Sequence, residues 1–216
     1  MTFNSLKYSG IKDFIKKNSQ NGAKIVAVSK YHPIESIQEA INSGVRIFGE
    51  NRVQEAKSKY LKLKDIFKEI ELHLTGPLQT NKVKDSLKIF DVFQTLDREK
   101  LANEFYKYKE NLIEKTFFIQ INTGKEISKS GVHIESADEF IKYCLNDLKL
   151  PVVGLMCIPP SQESPVYHFS LLRKIAEKNN LKQLSMGMSG DYKDAILEGA
   201  THIRVGTALF GSRHEK

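Results

Sequence analysis

Residues 25–48 read IVAVSKYHPIESIQEAINSGVRIF, and the order of patterns inside this stretch decides the fold. IVAVS (Ile25 to Ser29) is a short, largely β-branched apolar run of the kind that forms a buried strand. PIESIQEAINSG then carries a period of 3.6, with Pro33 suited to the first helical turn and Gly44 to the stop. A second apolar run, Arg46 to Phe48, completes strand, helix and strand within one short segment. Working outward, the alternation continues. Strands are expected at Leu72–Thr75, Asp91–Thr95, Thr116–Asn122, Val152–Cys157, Leu184–Met186 and His202–Val205. Helices are expected at Val53–Glu69, near Asn81–Leu87, and at Asp97–Glu110, Ser136–Leu145, Val166–Lys178 and Asp191–Glu198. Ahead of the first strand, Leu6, Ile11, Phe14 and Ile15 recur at helical spacing between lysines, which reads as an amphipathic helix and lacks the continuous apolar core of a signal peptide.

Eight strands separated by helices in 216 residues indicate a (β/α)8 TIM barrel with an extra N-terminal helix. A doubly wound open sheet would show a glycine-rich turn after its first strand, whereas this turn reads SKYHP. No composition break, low-complexity tract or repeat divides the chain, so residues 1–216 are read as one domain.

Composition narrows the functions. The net charge is +7, but the excess is mostly lysine; Lys57, Lys59, Lys62, Lys64 and Lys68 alternate with acids and apolar residues as on a solvated helix face. The arginines are Arg46, Arg52, Arg98, Arg173, Arg204 and Arg213, a sparse supply for bidentate recognition, so nucleic acid is not the expected partner. The longest nearly apolar run, Val152 to Pro160, is far below the ~18 residues of a membrane span. Two cysteines, Cys144 and Cys157, make no disulfide framework and fit a reducing cytoplasm. The histidines show no HExxH and no clustered carboxylates, so no metal site is expected.

A TIM barrel carries its chemistry at the C-terminal ends of the strands, with phosphate often held by the loops after the seventh and eighth. Lys30 follows IVAVS on the same face as Val26 and Val28, which in a barrel can be the interior. A lysine there either snorkels to the rim or, desolvated, becomes an amine able to condense with a carbonyl. SMGMSGDY places Ser189 and Gly190 before a helix, as an anion site or a simple cap by Asp191. IRVGTALFG brings Gly206 and Thr207 to the end of the eighth strand, where a backbone amide and a hydroxyl can meet phosphate. Arg204, on an otherwise apolar strand, needs a partner, either a carboxylate such as Glu50 or a ligand ring. His73 and Cys157 read as a satisfied interior histidine and a small buried thiol.

The chain resembles a known family through AVSKYHP (Ala27 to Pro33), FGENRVQEA (Phe48 to Ala56), HLTGPLQTNK (His73 to Lys82), SKSG (Ser128 to Gly131), GLMCIP (Gly154 to Pro159), LSMGMS (Leu184 to Ser189) and RVGTALFG (Arg204 to Gly211). These motifs, in this order, are similar to those of the pyridoxal 5'-phosphate homeostasis proteins (YggS/PROSC family), which resemble the barrel of alanine racemase without its second domain. The resemblance implies pyridoxal 5'-phosphate (PLP) as cofactor, with Lys30 carrying it as an internal aldimine. It further implies that Ser189, Gly190, Gly206 and Thr207 hold the phosphate, that Arg204 faces the pyridine nitrogen, and that Asn51 lies beside the cofactor. The sequence departs from the family's usual pattern in reading His-Leu-Thr-Gly at residues 73–76 and in carrying Gly190.

A ring nitrogen facing a permanently protonated guanidinium stays unprotonated, which makes the ring a poor electron sink. Racemisation also needs an acid/base opposite Lys30, supplied in alanine racemase by the domain missing here. The reading is therefore a monomeric PLP carrier or regulator, serving PLP-dependent apo-enzymes and without a catalytic residue of its own. A PLP-dependent amino-acid racemase is the alternative, and a class I aldolase is a weaker one.

Overall fold

The computed structural model describes residues 3–20, 22–124, 126 and 129–212. Eight parallel strands close into a barrel: β1 (Lys24–Val28), β2 (Ile47–Glu50), β3 (Glu71–Leu74), β4 (Val92–Leu96), β5 (Thr116–Asn122), β6 (Val152–Cys157), β7 (Gln183–Ser185) and β8 (His202–Val205). Each pairs with its successor, and β8 returns to β1 in the register Lys24↔His202 to Ala27↔Val205. Helix α1 (Ser5–Asn18) precedes β1, and α2 (Ile34–Asn42), α3 (Val53–Ile66), α4 (Val83–Ser86), α5 (Glu99–Tyr106), α6 (Ala137–Lys142), α7 (Pro165–Lys178) and α8 (Tyr192–Leu197) alternate with the strands. A ninth, α9 (Thr207–Phe210), follows β8. The expected (β/α)8 barrel with an added N-terminal helix is the observed fold.

Alternation along the strands separates two layers. Outward residues such as Ile25, Ala27, Leu72, Leu74, Phe93, Phe117, Ile119, Ile121, Ile203 and Val205 join the continuous apolar core beneath the helices. Inward positions are mixed: Val92, Phe118 and Met156 form a small apolar cluster beside buried His73, Gln94, Gln120, Ser185, His202 and Arg204.

Element boundaries moved by a residue or two, and several helices are shorter than their periodicity suggests. The expected helix near 81–87 is a 3-10 turn (Thr80–Lys82) followed by the single turn of α4. That expected at 97–110 ends at Tyr106 and resumes only as a 3-10 turn, Lys109–Asn111. The one at 136–145 begins as a 3-10 turn and loosens into a π turn at Tyr143–Asp147. In the polar loop after β5, Val132–His133 adds a two-residue parallel pairing onto β5 that its composition did not announce. On α1, Ile11 and Ile15 are buried as expected, whereas Leu6 is 86% exposed; Phe3, just ahead of the helix, and Phe14 add ring contacts. Phe3 meets Phe210 of α9 at 5.4 Å and Phe14 meets Tyr192 of α8 at 6.1 Å. Lys59 is not on a solvated face. It is almost buried, bonded to Glu50 (2.9 Å), Glu55 (2.7 Å) and the Ser29 carbonyl (2.9 Å).

Candidate functional site

At the C-terminal mouth of the barrel a cavity of about 320 Å³ is lined by Lys30, Asn51, Ser189, Gly190, Arg204, Gly206 and Thr207, together with Val28, Thr75, Ile158 and Met188. Every residue singled out from the sequence as a cofactor contact thus reaches one cavity. Of the four others, Val28 was expected on the inward face with Lys30, whereas Thr75, Ile158 and Met188 were missed, although Thr75 carried a signal, as a hydroxyl at the end of a strand just before Gly76-Pro77.

Lys30 stands in the turn immediately after β1, half-buried, on the inward side with Val28. The next residue, Tyr31, has φ +66°, a left-handed conformation that costs a non-glycine residue about 1–3 kcal/mol unless its surroundings impose it. Here the Tyr31 amide donates to Glu55 Oε1 (2.5 Å), the His32 amide donates to the Ser29 carbonyl (3.1 Å), and the His32 ring stacks on Phe210 at 5.2 Å. Glu55 in turn pairs with Lys59, whose ammonium also bonds Glu50. Glu50 is fully buried, and its Oε1 accepts from Ser29 Oγ (2.7 Å) as well. Burial raises its pKa against the opposing pull of Lys59. This corrects one expectation: Glu50 belongs to the support behind the Lys30 turn and does not pair with Arg204.

Arg204 is buried within β8 and makes no ion pair among the described residues. Its Nη1 donates to Ser185 Oγ (2.8 Å) and its Nη2 to the Cys157 carbonyl (2.8 Å). A cation held by neutral acceptors alone keeps its electrostatic demand directed at whatever enters the cavity. Asn51 is oriented by Thr75, whose hydroxyl donates to Asn51 Oδ1 (3.0 Å), leaving the amide NH₂ as donor toward a ligand. Gly76 lets that loop close. A Cβ there would come within 2.5 Å of the Asn51 carbonyl oxygen.

The loops after β7 and β8 are tied together by the Ala208 amide donating to Ser189 Oγ (3.2 Å). Asp191 does not cap α8 with its side chain; it accepts from the Met188 amide (2.5 Å) and so shapes the turn that presents Ser189 and Gly190. A Cβ on Gly190 would meet open space, whereas one on Gly206 would lie 3.2 Å from the Val28 carbonyl oxygen. His73 is an interior histidine bonded to Glu71 and Gln94, and the buried Cys157 thiol is pushed up to about 12 by desolvation. Ser128 of the SKSG stretch and the terminal Arg213 and His214 lie outside the described residues. Among those described, no group of three or more His, Cys, Asp or Glu side chains could hold a metal ion.

Residues 12–214 match the family described as alanine racemase, N-terminal domain. The chain is 42% identical over 205 residues to the pyridoxal phosphate homeostasis protein of Aquifex aeolicus, an alignment covering 90% of this chain and 89% of that protein. The structure of PipY from Synechococcus elongatus PCC7942 with PLP bound matches with a TM-score of 0.79 and 31% identity, over 96% of this chain and 99% of PipY. Alanine racemase of Corynebacterium glutamicum shares the fold at a TM-score of 0.68 and 16% identity, over 96% of this chain but only 60% of the racemase.

Proposed function

The chain belongs to the alanine racemase N-terminal domain family, and from that premise we propose that it binds PLP in the cavity at the barrel mouth and takes part in PLP homeostasis, holding the cofactor rather than turning over a substrate with it. The observation that carries the reading is the convergence of Lys30, Arg204 and the two serine-, threonine- and glycine-bearing loops on one cavity. The Aquifex relative is named for PLP homeostasis and PipY holds PLP, which supports the same ligand here.

The residues present fit the group. When bound, PLP supplies an aldehyde that condenses with amines and an electron-withdrawing ring. Lys30 is the anchoring amine, presented by a turn whose conformation the Glu55 and Lys59 network holds in place. Ser189, Thr207 and the backbone at Gly190 and Gly206 form the anion cradle, with hydroxyl and amide donors where a phosphate needs them. Arg204, which lines the same cavity, would face the ring nitrogen and, remaining charged, would discourage its protonation. That fixed cation is why retention is favoured over carbanion chemistry. We read residues 1–216 as one cofactor-binding domain that works as a monomer in the cytoplasm and supplies PLP-dependent apo-enzymes; among the described residues no helix is long and apolar enough to cross a membrane.

Absorbance tests the reading. Protein mixed with PLP and dialysed is expected to keep a near-visible band that Lys30→Ala lacks, and a wild-type protein without the band contradicts it. Amino acids incubated with the loaded protein in deuterium oxide are expected to retain their α-hydrogen. Rapid exchange would assign the racemase reading instead.

A further inference from the structure

Arg204 begins a chain of side chains that crosses the barrel. Ser185 Oγ, which accepts from Arg204, donates onward to Gln94 Oε1 (2.6 Å). Gln94 Nε2 lies 2.7 Å from His73 Nδ1, and His73 Nε2 lies 2.7 Å from Glu71 Oε1. Ser185, Gln94 and His73 are each 0% exposed, and they come from β7, β4 and β3. The far end is wet: the Glu71 side chain is 35% exposed and faces Lys24 across 3.9 Å at the opposite mouth.

The two ends fix the direction of every bond between them. A guanidinium only donates and an ionised carboxylate only accepts. Glu71 is kept ionised, with its pKa lowered to about 2 chiefly by the bond from His73. Gln94 must then offer its oxygen to Ser185 and its NH₂ to His73, and His73 must be a neutral imidazole protonated on Nε2 alone. Burial favours that neutral form, as does the nearby Lys24, against the pull of Glu71 and Asp91. Four bonds therefore point one way, and aligned hydrogen bonds polarise one another.

We propose that Ser185, Gln94 and His73 are positioning residues that hold the Arg204 guanidinium toward the cofactor ring and couple it to the Glu71 carboxylate at the far mouth of the barrel. This rests on the reading that Arg204 faces bound PLP. It goes beyond that reading by giving a role to side chains that do not touch the ligand.

Gln94→Leu keeps the volume and breaks the chain at its middle, leaving the Ser185 hydroxyl and His73 Nδ1 without that partner. The expected result is a PLP dissociation constant raised roughly tenfold and a shifted band of the bound cofactor, with Lys30 still modified by borohydride reduction. Ser185→Ala, a smaller change, is expected to act in the same direction by about threefold. Gln94→Glu preserves shape and still accepts from Ser185, but its second oxygen faces His73 Nδ1. Nitrogen-15 NMR of the cofactor-free protein is expected to show His73 neutral and protonated on Nε2 in the wild type, and doubly protonated near neutral pH in Gln94→Glu. Failure of the wild type to bind PLP would sink the site reading. A wild type that binds, beside folded Gln94→Leu and Ser185→Ala proteins with unchanged affinity and spectrum, would overturn the positioning role alone, as would a doubly protonated His73 in the wild type.

Discussion

The two faces of the same strands make different demands on sequence. Outside the barrel, Leu72, Leu74, Phe93, Phe117, Ile119 and Ile121 pack under the helices with no polar side chain to satisfy. Inside, one residue along on the same strands, stand His73, Gln94, Gln120 and, further round, Ser185, His202 and Arg204. The outer layer holds the fold through non-directional burial, so volume is what counts there. The inner layer is directional: hydrogen bonds join Arg204, Ser185, Gln94 and His73 in a row, and that row ends at the cavity proposed to hold the cofactor. Stability and binding should therefore come apart when the two faces are altered separately.

The largest effect belongs outside. Phe117 is fully buried, stacked on Phe93 at 5.2 Å and edge-on to Phe105 at 4.7 Å. Phe117→Ala is expected to cost about 3–5 kcal/mol in urea unfolding while the folded fraction binds PLP normally. Lys30→Ala is the converse: affinity is expected to fall on the order of a hundredfold in a dialysis titration, with the unfolding midpoint unmoved because the side chain stands at the mouth and packs no core.

Acid reaches the inner face through His202, whose pKa burial lowers from 6.5 to about 3. The unfolded chain takes up that proton first, so stability is complete above pH 6.5 and is lost as pH falls toward about 3. Glu71, lowered from 4.5 to about 2, loses its contribution in a lower window, between those two values. Unfolding free energies from urea titrations at pH 7 to 4 are expected to drop by on the order of 2 kcal/mol in the wild type and by less in His202→Gln. Equal slopes would show that His202 is not the group being titrated.

Thr75→Val keeps the shape and removes the bond to Asn51, so a loss of about 1 kcal/mol in PLP affinity is expected, with little change in unfolding. The smallest effect separates two site glycines. Gly190→Ala meets open space and is expected to change stability by less than about 0.5 kcal/mol, whereas Gly206→Ala, with its Cβ 3.2 Å from the Val28 oxygen, should be the more damaging of the pair in both assays.

The same division explains what could be read from the residues alone. Outer-face periodicity is local and redundant, so IVAVS, TFFIQIN and VVGLMC announced their strands and the barrel followed from their number and alternation. Seven of the eleven cavity residues were also legible, six because a barrel brings the ends of its strands to one place whatever lies between them, and Asn51 through the family's motif. What stayed hidden depends on contacts between distant strands. Lys59 looks like any surface lysine in KSKYLKLK until Glu50 and Ser29 are set beside it. Gln94 in DVFQTL and Ser185 in QLSM were polar residues inside apolar runs, a sign that something inward needed them, but their partners lie on other strands. The helix breaks at 80–83, 106–109 and 143–147 reflect packing geometry that propensity does not encode.

The proposed function requires that the inner face at the end of β1 hold the cofactor. The most direct measurement is borohydride reduction of the PLP-loaded protein followed by peptide mass mapping. One reduced pyridoxyl-phosphate adduct on the peptide containing Lys30, and its loss in Lys30→Ala, is the expected result. An unmodified Lys30 peptide, or an adduct spread over the surface lysines, would contradict it.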